Sequence, residues 1–131
     1  MGRVFFNTRK NVHTLTGNYT VLASDSGKVF MLNSAGGAFA VTLPTLETGL
    51  MYKFISSDTT ADVTVSSSTA DIDIVGLDSE TDVGFSGAGT AKTNIIFELA
   101  GHKSQFVNLY SDGTGWYAEG IASVDDGITV T

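Results

Sequence analysis

The chain has 131 residues, enough for one domain with its own core and little more. It has no cysteine, which excludes disulfides and thiolate metal sites, and a net charge of −7, which disfavours bulk nucleic-acid binding. Gly, Ser and Thr supply 45 residues against a single proline, and 42% hydrophobic content argues against a disordered tract. Only 16% of residues are charged, so the composition describes an all-β protein with part of its surface covered by other subunits.

The first residues, Met1-Gly2-Arg3-Val4-Phe5-Phe6, lack the apolar run of a signal peptide, and Phe6 stands where a myristoylation signal needs Ser or Thr. The longest uncharged stretch, Val29 to Leu46, is interrupted by Asn33, Gly36, Gly37 and Pro44 and cannot cross a bilayer as an apolar helix. No membrane or nucleic-acid partner is expected. Residues 1–24 carry Arg3, Arg9 and Lys10 and no acid, whereas residues 25–131 carry four lysines and all fourteen acids. This asymmetry predicts an extended arm over residues 1–16, ahead of a β-domain at 17–120. Phe5 and Phe6 would anchor the arm on neighbouring chains, and Arg3, Arg9 and Lys10 would meet acidic groups there. The competing reading is an ordinary first strand with incidental charges. The arm is expected to order only in an assembly, because two buried phenylalanines return about 3–6 kcal/mol against about 1–2 kcal/mol per ordered residue. The start methionine suggests a whole gene product rather than a domain cut from a longer fibre, with both ends held by neighbours.

Alternating apolar and polar residues then recur between turn signals. Strands are predicted at Tyr19–Leu22, Lys28–Leu32, Ala38–Leu43, Met51–Ile55, Val63–Val65, Ile72–Val75, Asn94–Leu99, Gln105–Tyr110 and Trp116–Glu119. Asp25-Ser26-Gly27 and Asp112-Gly113-Thr114-Gly115 read as turns, the second closing a hairpin. Residues 86–91 read as a loop, and a short helix is conceivable at Thr45–Gly49 or Ala88–Thr93. Residues 121–131 read as a tail with a short strand signal at Ile128-Thr129-Val130. Eight or nine short antiparallel strands at near-regular spacing predict a β-sandwich or jelly-roll-like barrel, with Trp116 largely buried.

Candidate chemistry is sparse. Asp71, Asp73, Asp78, Glu80 and Asp82 put five carboxylates in twelve residues, but Val75 breaks the calcium-loop pattern that Asp71 and Asp73 begin. Asp71-Ile72-Asp73-Ile74 is better read as a strand with one wet face, and no metal site is expected. The two histidines, His13 and His102, have no serine in a nucleophile elbow to serve, so no catalytic residue is expected. Gly84 to Gly89 spaces its glycines wrongly for a dinucleotide loop, so no cofactor is expected. Tyr110, Trp116 and Tyr117 cluster about the Asp112–Gly115 turn and are the candidate glycan contacts. Trp116 and Tyr117 must point to opposite faces of a strand, so at most one of them is exposed there.

Two passages carry a resemblance. Phe39-Ala40-Val41-Thr42-Leu43-Pro44 with Gly49 to Ile55, and Phe106 to Gly113 followed by Trp116, are similar to short passages of tailed-bacteriophage virion β-domain proteins. The chain most resembles a small capsid decoration (cement) protein. The resemblance implies a β-sandwich-type domain, homotrimeric, without catalytic residues, bound to the major capsid protein on the capsid exterior. The same motifs occur in tail- and head-fibre modules, which leaves a trimeric fibre or glycan-binding receptor module as the alternative. Length favours decoration, since the module is nearly the whole chain.

Overall fold

Among the described residues the alternation resolves into twelve strands: β1 (Val12–Leu15), β2 (Tyr19–Thr20), β3 (Val29–Leu32), β4 (Phe39–Thr42), β5 (Thr48–Ser56), β6 (Val63–Ser66), β7 (Ile72–Asp78), β8 (Gly89–Lys92), β9 (Asn94–Phe97), β10 (Phe106–Asp112), β11 (Trp116–Ala122) and β12 (Ile128–Val130). The structure is a computed structural model that describes residues 11–131. Among the described residues there is no α-helix, and one 3-10 turn, Ala23–Asp25, joins β2 to β3. The protein is all-β with two mixed sheets, ordered β1-β3-β5-β10-β11-β7-β8 and β12-β9-β6-β4-β2. Neither closes into a barrel.

The pairing is mixed rather than antiparallel. From β1 to β6 the chain alternates between the sheets, so successive strands of one sheet run the same way. β1, β3 and β5 are parallel neighbours, as are β2, β4 and β6. The strand of the other sheet acts as the crossover that a parallel pair needs. Only the later part folds back on itself, with β10 and β11 as a hairpin and β7 antiparallel to β8. β11 then runs parallel to β7.

Twelve strands exceed the eight or nine expected because β1 and β8 are short sheet edges, where one-sided pairing leaves a weak alternation, and because the strand signal at Ile128–Val130 forms a full strand, β12. Neither suggested helix forms. Thr48 and Gly49 open β5, and Gly89 opens β8 inside the stretch read as a loop; Gly49 at φ +89° and Gly89 at φ +139° have backbones outside the right-handed helical region. Residues 121–131 are built into the fold rather than trailing from it. Ile121 and Ala122 complete β11, while β12 pairs with β9 and buries Ile128 and Val130. At the other end, Val12–Leu15 pairs with β3 and buries Leu15, so strand pairing begins inside the segment read as an arm. The contacts expected of Arg3, Phe5, Phe6, Arg9 and Lys10 lie outside the described residues.

Both sheets turn alternate residues into one apolar core. Phe30, Phe54, Tyr52, Ile72, Ile74, Leu109 and Trp116 come from the larger sheet, and Val41, Val63, Val65, Ile95 and Ile128 from the smaller. Aromatic rings run through it: Phe30 stacks on Phe54 with centroids 5.4 Å apart, and Tyr52 packs 5.9 Å from Trp116. At one end Asp25 is buried, where it receives hydrogen bonds from Lys28 Nζ (2.6 Å), the Leu22 N–H (3.0 Å) and the Tyr19 hydroxyl (2.9 Å). Burial would raise the Asp25 pKa, but these donors, Lys28 first, outweigh it and hold the carboxyl below its ordinary value. Burial and the nearby Asp25 and Glu47 charges push the Tyr52 phenol up to about 12; its hydroxyl donates to the Leu22 carbonyl at 2.8 Å.

Candidate interaction face

In the larger sheet the residues that point away from the core fall into three rows, because the register is continuous across six strands. One row reads Thr14, Met31, Ile55, Phe106, Ile121, Leu77 from β1 to β7. The next, two residues along each strand, reads Val12, Val29, Lys53, Asn108, Glu119, Val75. The third reads Met51, Tyr110, Tyr117, Asp73. From Met31 to Leu77 the first row is unbroken apolar surface over five strands, a span of about 19 Å at the usual strand spacing. Met31, Ile55 and Phe106 are half-buried by their neighbours, whereas Ile121 is 45% and Leu77 54% exposed. A sheet face in water ordinarily carries polar residues at these positions. Contiguous apolar surface of this kind makes this face the candidate interaction site.

The charges on this face lie mainly in the middle row. Lys53 lies over the Phe106 ring, 4.5 Å from its centroid. Glu119, two strands away, accepts a hydrogen bond from the Tyr110 hydroxyl at 3.2 Å. Asn108 stands between them in register. Among the described residues neither charge has an ionic partner, and the one ion pair joins Lys28 to Asp25. Two open depressions flank Asn108, one bounded by Val29, Met51 and Lys53, the other by Phe106, Glu119 and Ile121.

The three candidate glycan contacts divide. Trp116 is fully buried in the apolar core, with its indole nitrogen unpartnered, and cannot touch a sugar. The strand alternation that buries Trp116 turns Tyr117 outward, 44% exposed. Tyr110 pairs with Tyr117 across the hairpin on the same face, so the two tyrosines are adjacent. Tyr117 donates to Asp112 Oδ2 at 3.2 Å. Asp112 organises the turn that aligns them, accepting from the Thr114 hydroxyl (2.7 Å) and from the N–H groups of Thr114 (2.9 Å) and Gly115 (3.1 Å). These donors, the Thr114 side chain first, hold the Asp112 carboxyl at about 2.

The five clustered carboxylates are dispersed. Asp73 points outward and accepts the Ala91 N–H at 3.0 Å, Glu80 and Asp82 are exposed, and Asp78 points inward and is buried. Burial, then the charges of Asp125 and Asp126, raise the Asp78 pKa, and its Oδ1 has no partner. Among the described residues no group of three or more His, Cys, Asp or Glu is placed to hold a metal ion. His13 packs edge-on to Tyr19 and against Phe30, and His102 is exposed.

The apolar row is what the sequence reading missed. Its signal is present in runs such as Val29-Phe30-Met31-Leu32, Phe54-Ile55 and Ile74-Val75, where both strand parities are apolar. Such runs belong to strands covered on both sides. No family model matches the chain, and no curated protein matches it.

Proposed function

We propose that this chain is a structural virion protein, a capsid decoration (cement) protein that binds the outer surface of a phage capsid as a homotrimer and stabilises the shell. Its partners are the major capsid protein and two further copies of itself, and it works on the capsid exterior without catalysis or a cofactor. In this reading the two sheets form a β-sandwich. The observation that carries the proposal is the apolar outer side of the larger sheet, which suits a protein that works inside an assembly. The resemblance of Phe39–Pro44 and Phe106–Gly113 to virion β-domains supplies the assembly. Shell expansion is resisted by many modest contacts, each repeated by symmetry, so no single interface has to be strong. The basic, aromatic residues Arg3, Phe5, Phe6, Arg9 and Lys10 supply the grip on the shell, by strand addition or by contact with acidic groups.

Copy number tests this. Quantitative mass spectrometry of purified virions is expected to find about one copy per major capsid subunit. A few dozen copies per particle would sink the decoration reading in favour of a fibre. Deletion of residues 2–10 is expected to leave the domain folded and abolish capsid binding; unchanged affinity would remove the arm from the reading.

The alternative, a trimeric fibre module that contacts glycans, is favoured by one observation, the adjacent exposed rings of Tyr110 and Tyr117 beside Asp112 and Glu119. Aromatic faces next to fixed carboxylates are the chemistry of sugar recognition. A glycan array with wild type and Tyr117→Ala separates this reading from decoration.

A further inference from the structure

We propose that the outer face of the seven-stranded sheet is a self-association surface, covered by other copies of this chain arranged about an axis that runs along β10. The inference deepens the subunit-association part of the proposed function; it makes no use of capsid binding.

The argument starts from the position of the two charges. β10 is the middle of the apolar surface, with β5 on one side and β11 on the other. Lys53 stands on the β5 flank and Glu119 on the β11 flank, at the same height, with uncharged Asn108 between them. Two strand spacings put them about 9.5 Å apart, too far for a direct pair. In any closed ring about an axis parallel to β10, the β5 flank of one copy faces the β11 flank of the next. Lys53 then meets the neighbour's Glu119. The same rotation sets Ile55 and Met31 against the neighbour's Ile121 and Leu77, and Met51 against Tyr117, while Phe106, Asn108 and Tyr110 line the axis. One operation covers the apolar row and pairs both charges.

This favours a second copy over another partner. An acidic partner would satisfy Lys53 and repel Glu119, and a basic one the reverse; a copy related by rotation carries the matching charge at the matching place. The chain's acidity is no obstacle, because the other carboxylates of this side, Asp73 and Asp112, lie at the Tyr117 end of the face, away from the apolar row from Met31 to Leu77. Covered by a copy, Lys53 and Glu119 would each have an opposite charge facing it, which fixes the register of the two faces. The arrangement admits two or three copies, and three agrees with the proposed trimer.

The test is analytical ultracentrifugation of the full chain without capsids, with far-ultraviolet circular dichroism as the control for folding. Wild type is expected to be a closed oligomer at micromolar concentration. Ile121→Glu should remain folded, because the side chain already faces solvent, and weaken association about thirtyfold or more, as loss of a central interface residue does. Lys53→Glu and Glu119→Lys, each alone, should weaken it about tenfold, and the double reversal should restore it. If wild type associates and these folded variants associate equally well, the face is not the interface and the oligomer is built elsewhere. If the single reversals weaken association and the double does not recover it, the arrangement about β10 is wrong. A wild-type monomer at high micromolar concentration overturns both this proposal and the homotrimer, while the copy number on virions stands as a separate test of decoration.

Discussion

The ring of Phe85 occupies the space above Gly76: a Cβ added to Gly76 would come within 2.2 Å of the ring. Gly76 is on the core side of β7, between inward-facing Ile74 and Asp78. Its neighbour in register, Gly120 of β11, is equally bare, and a Cβ there would meet the Phe106 carbonyl oxygen at 2.2 Å. The missing side chain of Gly76 lets the segment after β7 fold inward and bury Phe85, whose N–H donates to the Gly76 carbonyl at 3.2 Å.

Gly76→Ala should therefore displace Phe85 and destabilise the protein by about 1–3 kcal/mol, the usual result of overpacking. Phe85→Ala should cost about 3–5 kcal/mol through the cavity it leaves. The double variant should be more stable than the sum of the two predicts, because the new methyl group has lost its obstacle. Denaturant unfolding of the four proteins checks this; additive effects would show that ring and glycine do not share the space.

Asp112 should make the hairpin acid-sensitive. Its folded pKa of about 2 lies below the ordinary 3.8, so the folded state holds its proton less readily than the unfolded state. Its stabilising contribution is present above pH ~4 and is lost as the pH falls toward about 2. Asp112→Ala should lower Tm at pH 7, and the gap to wild type should narrow across that window. A gap that is constant from pH 7 to pH 2 would count against the charged turn.

Asp78 should act in the opposite direction. Burial first, and then Asp125 and Asp126, raise its folded pKa, so its contribution is most favourable below the ordinary carboxylate value and declines as the pH rises through the raised one. Asp78→Asn keeps the shape and removes the charge. It should raise Tm at pH 7 and leave it little changed at pH 3. A lower Tm for the variant at pH 7 would show that the ionised carboxylate is stabilising in its site.

What was legible in the sequence follows from short-range physics. A strand shows alternate residues to opposite sides, so period two, broken by turn residues, was enough to locate β3 to β7 and β9 to β11, and to state that Trp116 and Tyr117 part company. Asp112-Gly113-Thr114-Gly115 announced its hairpin because the side chain of Asp112 caps its own turn.

Which strands become neighbours was decided only in the tertiary structure. A turn motif does not record whether the chain returns beside the strand it has left or passes to the other sheet, and from β1 to β6 it passes each time, so the pairing is parallel. The core face was legible because burial repeats at every second residue of one strand. The outer apolar row was not, because Met31, Ile55, Phe106, Ile121 and Leu77 come from five strands scattered along the chain and line up only when register aligns them. Each is one unremarked residue in its own strand; together they form the surface on which the proposed assembly depends.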